Sequence, residues 1–137
     1  MEAIVISPKT LLEEKQKHMP EKISISGNRI VFSAKATQIL SLNEKTRFTI
    51  LIKNNKMFYR EASLSEDAFA LYKFGNGAHS KYASNVNGLP EMLDGIKKIN
   101  KKFEVEPRPS NKGGLRFDFL LGNLHEGGLW ELIAIPM

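Results

Sequence analysis

The most regular stretch of the chain is Arg47 to Ala62, RFTILIKNNKMFYREA, where apolar and polar residues alternate with period two on both sides of Asn54-Asn55. That period is the signature of strands, and two asparagines that tolerate positive φ suit a two-residue type I′ turn. The spacing therefore predicts a hairpin with Lys53 opposite Lys56, Leu51 opposite Phe58 and Thr49 opposite Arg60. Directly opposed residues share a face. One face is then apolar, with Phe48, Ile50, Ile52, Met57 and Tyr59 facing a core. The other carries Arg47, Thr49, Leu51, Lys53, Lys56, Phe58 and Arg60.

The same reading gives the remaining elements. Glu2 to Ser7 predicts a short strand ended by Pro8. Residues 9–21 are polar and read as one or two helical turns or a mobile lead-in stopped by Pro20. Ile23 and Ile25 alternate with serines in a strand, Gly27-Asn28 turns the chain, and Arg29 to Phe32 extends back. Ser33 is placed to cap a short helix over 34–42, with Ala36, Ile39 and Leu40 on one side. Phe69 to Phe74 reads as a strand, with a helix opening at Ser65 as the alternative. A turn at Gly75 to Gly77 and a short strand over Ser80 to Ser84 follow. The longer helix, 90–103, has Pro90 at its start and an apolar stripe of Leu89, Met92, Leu93, Ile96, Ile99 and Phe103. Past a turn-rich linker over 105–112, Leu115 to Leu121 and Leu129 to Ile135 are strands joined by a glycine-rich loop. The expected fold is one α+β domain over 1–137, a strand-rich antiparallel sheet with two helices.

Composition narrows the chemistry. The 137 residues contain no cysteine, which excludes disulfides and thiolate metal sites and fits a reducing compartment. No apolar run approaches the 18 residues of a membrane span, and the N-terminus lacks a signal-peptide pattern, so a cytoplasmic protein is expected. The net charge of +5 is unevenly placed. Residues 29–60 hold seven cations against Glu44, and residues 95–116 hold seven against Glu104 and Glu106. Such segregation favours an anionic partner. The lysines at 97, 98, 101 and 102 also suit the negative end of the longer helix, which explains them without a ligand.

The second hairpin face is the candidate site. Lys53 against Lys56 is a costly like-charge pair, and Arg47, Arg60 and the ring of Phe58 lie beside it. Cations around an aromatic ring suit single-stranded nucleic acid, because cations take phosphates and a ring stacks on any base. The competing reading is a solvated, lysine-guarded strand edge with Phe58 under a neighbouring segment. His18, His79 and His125 have no metal-ligand spacing, and no nucleophile elbow, phosphate loop or dinucleotide fingerprint is present. Neither an enzyme nor a metal or other cofactor is expected.

From 46 to 103, the RFTILIKNNKMFYRE hairpin and the run KYASNVNGLPEMLDGI resemble the DNA-binding core of positive-cofactor-type transcriptional coactivators and of the Whirly proteins. The resemblance implies a sheet that binds single-stranded DNA and a helix that builds a homodimer. It puts Arg47, Lys53, Lys56, Phe58 and Arg60 on the DNA face, with Lys73, Lys81 and Tyr82 on neighbouring strands. The dimer would form through Leu89, Met92, Leu93, Ile96, Ile99 and Phe103. Residues 27–60, GNRIVFSAKATQILSLNEKTRFTILIKNNKMFY, are similar to the AbrB and MazE swapped-hairpin pattern, which implies an intertwined dimer on duplex DNA. The expectation is a non-sequence-specific single-stranded DNA-binding accessory factor of transcription, replication or recombination. The alternatives are a swapped-hairpin regulator on duplex DNA and a protein-interaction module, with RNA as a further possible ligand.

Overall fold

A computed structural model describes residues 3, 5–11, 21–74, 81–111 and 113–136. The expected α+β architecture is present, with the hairpin as its most regular part. Strands β3 (Arg47–Lys53) and β4 (Lys56–Ala62) pair in the expected register, Lys53 against Lys56 through Arg47 against Ala62. Asn54 and Asn55 take φ of 52° and 66°, the left-handed pair that a type I′ turn needs.

The other strands assemble around this hairpin. They are β1 (Lys22–Ser26), β2 (Arg29–Phe32), β5 (Phe69–Ala70), β6 (Tyr72–Phe74), β7 (Lys81–Asn85), β8 (Arg108–Pro109), β9 (Leu115–His125) and β10 (Leu129–Ala134). Every pairing is antiparallel, and the order is β5-β3-β4-β10-β9-β1-β2-β7-β6, with β8 added on β9. The two ends of this path, β5 and β6, are consecutive in the chain with only Leu71 between them. Residues 69–70 pair with β3 and residues 72–74 with β7. The Ser84 hydroxyl of β7 also donates to the Ala70 carbonyl at 2.6 Å. The sheet therefore closes on itself. Closure is why the stretch expected as one strand, Phe69 to Phe74, is two: a single straight strand could not serve both neighbours.

Alternation along each strand sends one set of side chains inward. Ile23, Ile25, Ile30, Phe32, Phe48, Met57, Tyr59, Phe117, Phe119 and Leu132 are almost wholly buried there. Phe48 is the centre of the aromatic part, with ring centroids 5.4 Å from Phe32, 5.5 Å from Tyr59 and 5.4 Å from Phe69. Ile52, expected on the core face, sits at the hairpin tip and is 42% exposed.

Two helices pack on the barrel. Helix α1 (Ala34–Leu40) follows β2 and is capped by Ser33, whose Oγ accepts from the Ala36 N–H at 3.2 Å. It stops two residues short of the expected Leu42, because Ser41 turns left-handed at φ 53° and Leu42 N–H bonds back to the Thr37 carbonyl. Helix α2 (Leu89–Ile99) follows β7. Since β2 and β7 are antiparallel, the two helices lie at opposite ends of the barrel. Helix α2 ends at Ile99, four residues before the expected Phe103. Asn100 is extended, and the Lys97 ammonium bonds the carbonyls of Lys101 and Phe103 at 2.9 and 2.7 Å. Phe103 then folds back into the core, fully buried. Asn100 also ties this corner to the hairpin turn, donating to Asn55 Oδ1 at 2.7 Å.

Other expectations are corrected. Of Glu2 to Ser7, the described residues Ala3 and Val5 to Ser7 are not in a strand, and Val5 and Ile6 are 75% and 72% exposed, so their apolar side chains are not packed on the sheet. One helical turn, Pro8 to Leu11, follows. The lead-in beyond Leu11 to Pro20, and the Gly75 to Gly77 turn, lie outside the described residues. The linker over 105–112 contributes β8, and β9 runs on through Gly122 to His125. At Gly122 a Cβ would stand 3.2 Å from the Glu131 carbonyl and closer still to the Ile133 side chain, so glycine lets β10 approach across the bulge there without displacing Ile133. Phe48→Ala should remove the central ring of the aromatic cluster and cost roughly 3–5 kcal/mol. A urea titration against wild type reads that loss directly.

Candidate nucleic-acid interface

The outer hairpin face carries the residues that the sequence placed there, but the chain itself already engages most of them. Register sets Phe58 opposite Glu131 of β10, and Leu129 opposite both Arg60 and His125. Phe58 is only 7% exposed, with the His125 ring edge-on at 5.5 Å between centroids. Glu131 Oε1 lies 3.1 Å from the Lys56 ammonium, and Oε2 lies 3.1 Å from His125 Nε2. Hydrogen bonds from His125 and Lys56 hold the Glu131 carboxyl below its ordinary range, and Glu131 in turn raises Lys56. Arg60 pairs with Glu66, and the Arg47 guanidinium bonds the carbonyls of Glu44 and Thr46. Lys53 stands exposed at the tip.

The remaining expected residues are dispersed. Tyr82 pairs with Phe32 and packs against the core, and Lys73 pairs with Tyr82 on that side of the sheet. Lys81 pairs with Phe74 on the outer face. In the closed ring β7 is separated from β3 by the β5–β6 segment, and Lys81 lines a groove with residues of β1 and β2 rather than with the hairpin cations. The α2 stripe divides as well. Leu89, Leu93, Ile96 and Phe103 pack on the core, whereas Met92 and Ile99 are 61% and 91% exposed.

A different cationic surface lies around Lys81. The outer faces of β1, β2 and β7, with the loop after β8, line a groove of about 880 Å³. Its cations are Lys22, Arg29, Lys81 and Arg116, its hydroxyls and amides include Ser24, Ser26, Asn28, Asn85 and Asn111, and Tyr72 supplies an aromatic ring. Among the described lining residues there is no carboxylate. Strand parity explains this composition. In KISIS, RIVF and RFDF the isoleucines and phenylalanines face inward, so Lys22, Ser24, Ser26, Arg29 and Arg116 face outward. The Arg29 guanidinium lies 4.9 Å from the centre of the Phe74 ring, a cation–π contact that steadies the arginine at the groove wall.

Under the groove sits Asp118, 5% exposed and opposite Ser24 of β1. Its oxygens lie 2.9 and 3.1 Å from Arg116 Nε, 3.1 Å from a terminal nitrogen of Arg108 and 3.8 Å from the Lys22 ammonium. Arg108 also donates to the Ile135 carbonyl. Burial pushes the Asp118 carboxyl up, but the Ser24 hydroxyl, Arg116 and Lys22 together outweigh it and hold the group below its ordinary value of 3.8. The parity of each strand was legible in the sequence. That β9 lies beside β1, bringing Arg116 to Lys22 and Arg29, was not.

No protein-family model, curated protein or solved structure matches the chain. Among the described residues there is no cluster of three or more side chains able to hold a metal, and no helix is long and apolar enough to cross a membrane.

Phe58→Ala should behave as a core truncation, lowering stability by roughly 3–5 kcal/mol in a thermal melt. Asp118 has a folded-state pKa below its unfolded value, so the unfolded chain takes up the proton more readily. Its contribution is present above pH 3.8 and is lost as the pH falls through the folded value. The urea midpoint should therefore fall on acidification below that pH, and Asp118→Asn should flatten that limb of the profile.

Proposed function

We propose that this chain binds single-stranded nucleic acid along the groove on β1, β2 and β7. The observation that carries the reading is a lining of four cations with no carboxylate among the described residues. A polyanion entering it meets Lys22, Arg29, Lys81 and Arg116 in excess over one buried carboxylate, Asp118, and each phosphate neutralised releases counterions. Tyr72, 41% exposed, offers a flat surface on which an unpaired base can stack. Stacking is indifferent to base identity, so the binding is not sequence-specific. A duplex hides its base faces, and this reading gives it only the phosphate contacts.

The expected ligand class is thereby kept while its site moves. The hairpin face commits Lys56 and Arg60 to glutamates and buries Phe58, leaving little for a strand to use. A binding role of this kind needs neither cofactor nor catalytic residue, and the cysteine-free chain suits the reducing cytoplasm.

Fluorescence anisotropy with labelled oligothymidylate and a duplex of equal length, across a salt series, tests the reading. Arg29→Ala and Lys81→Ala should each weaken single-strand binding and lower the salt slope by about 0.7 per phosphate. Tyr72→Ala should cost on the order of 1–3 kcal/mol for a stacked base and leave the slope unchanged. Lys56→Ala should change neither. Salt-insensitive binding, or binding indifferent to Arg29 and Lys81, would overturn the assignment.

A further inference from the structure

We propose that Asp118 is the positioning residue of this groove, the buried carboxylate that fixes where Arg116 and Lys22 present their charge to a strand. The proposal rests on the groove being the nucleic-acid site. Its basis is the way one acid is shared. Asp118 faces three cations, Lys22, Arg108 and Arg116, so the cluster keeps an excess of two positive charges while each cation has an anchor. Arg116 is gripped at Nε, at 2.9 and 3.1 Å, rather than through the fork of terminal nitrogens that recognises phosphate bidentately. One terminal nitrogen lies 3.4 Å from Ser24 Oγ, which also belongs to the groove wall. The guanidinium is thus held at its Nε edge, with its terminal nitrogens at the lining.

Long cations on an outer strand face ordinarily sample many rotamers, and binding must then order them. An anchored arginine has already lost that freedom. Arg108 has another task. It lies outside the groove lining and bonds the Ile135 carbonyl, joining the C-terminal segment to β8.

Positioning and plain charge counting predict opposite signs. Asp118→Asn raises the net charge from +5 to +6, so charge counting alone expects tighter binding to oligothymidylate. Positioning expects the reverse, about tenfold weaker binding when one charge-assisted hydrogen bond to the strand fails to form. The salt slope should also fall by about 0.7 for each phosphate left without its cation. Arg108→Gln lowers the net charge to +4, and charge counting expects weaker binding. Positioning expects unchanged affinity, because Asp118 still holds Arg116 and Lys22.

Melting curves and circular dichroism on both variants establish that the barrel is intact. If Asp118→Asn does not fold, Arg108→Gln decides alone: retained affinity supports positioning, and weaker binding with a lower slope overturns it. Equal or tighter binding by a folded Asp118→Asn overturns it as well. Wild type that fails to bind oligothymidylate brings down the groove reading itself, a result distinct from either.

Discussion

The structure depends on one short segment having two partners. Residues 69–74 give Phe69 and Ala70 to β3 and Tyr72 to Phe74 to β7, with Leu71, 6% exposed, at the change of partner. Without this splice the sheet would be an open ribbon with β3 and β7 as exposed edges, each presenting unpaired backbone groups. With it, the two edges meet and the inward side chains face one another across a closed interior. Phe48, next to the splice on β3, then finds Phe69 and Tyr59 on the strands beside it and Phe32 across the core.

Closure also assigns the outside. A barrel wall has only one solvent-facing side, and the strand order decides which outward residues become neighbours. On β3, β4, β10 and β9 the neighbours are of mixed sign, so Lys56, Glu131 and His125 satisfy one another and roof over Phe58. Across the barrel the outward residues of β1, β2, β7 and the start of β9 are mostly serines, asparagines and cations, with Asp118 the one buried acid among the described residues. The first surface commits Lys56 and Arg60 to acids and buries Phe58, and the second keeps its cations in excess over Asp118. That contrast is why the nucleic-acid reading attaches to the groove.

Much of this was legible in the residues because it is local. The Arg47 to Ala62 hairpin, its register and its left-handed asparagine turn follow from a period of two and two residues that tolerate positive φ. So do the Ser33 cap and the Pro90 start of the second helix, which depend on backbone groups within a turn of the side chain. Helix ends were less legible. Ser41 stops its helix by turning left-handed, which a serine does not announce, and Asn100 leaves its helix at a corner tied to Asn55, 45 residues away.

What the chain alone determined, then, is which residues turn inward and which outward on each strand, since alternation is a property of the strand itself. Only the tertiary structure decided which strands stand side by side, because pairings such as β1 with β9 join residues nearly a hundred positions apart. Arg47, Lys56 and Arg60 were correctly placed on an outward face, and the acids that occupy Lys56 and Arg60 came from Glu131 and Glu66. Lys22, Arg29 and Arg116 looked ordinary in three separate strands. Antiparallel pairing around a closed ring sets them along one groove, over a carboxylate that no local pattern ties to them.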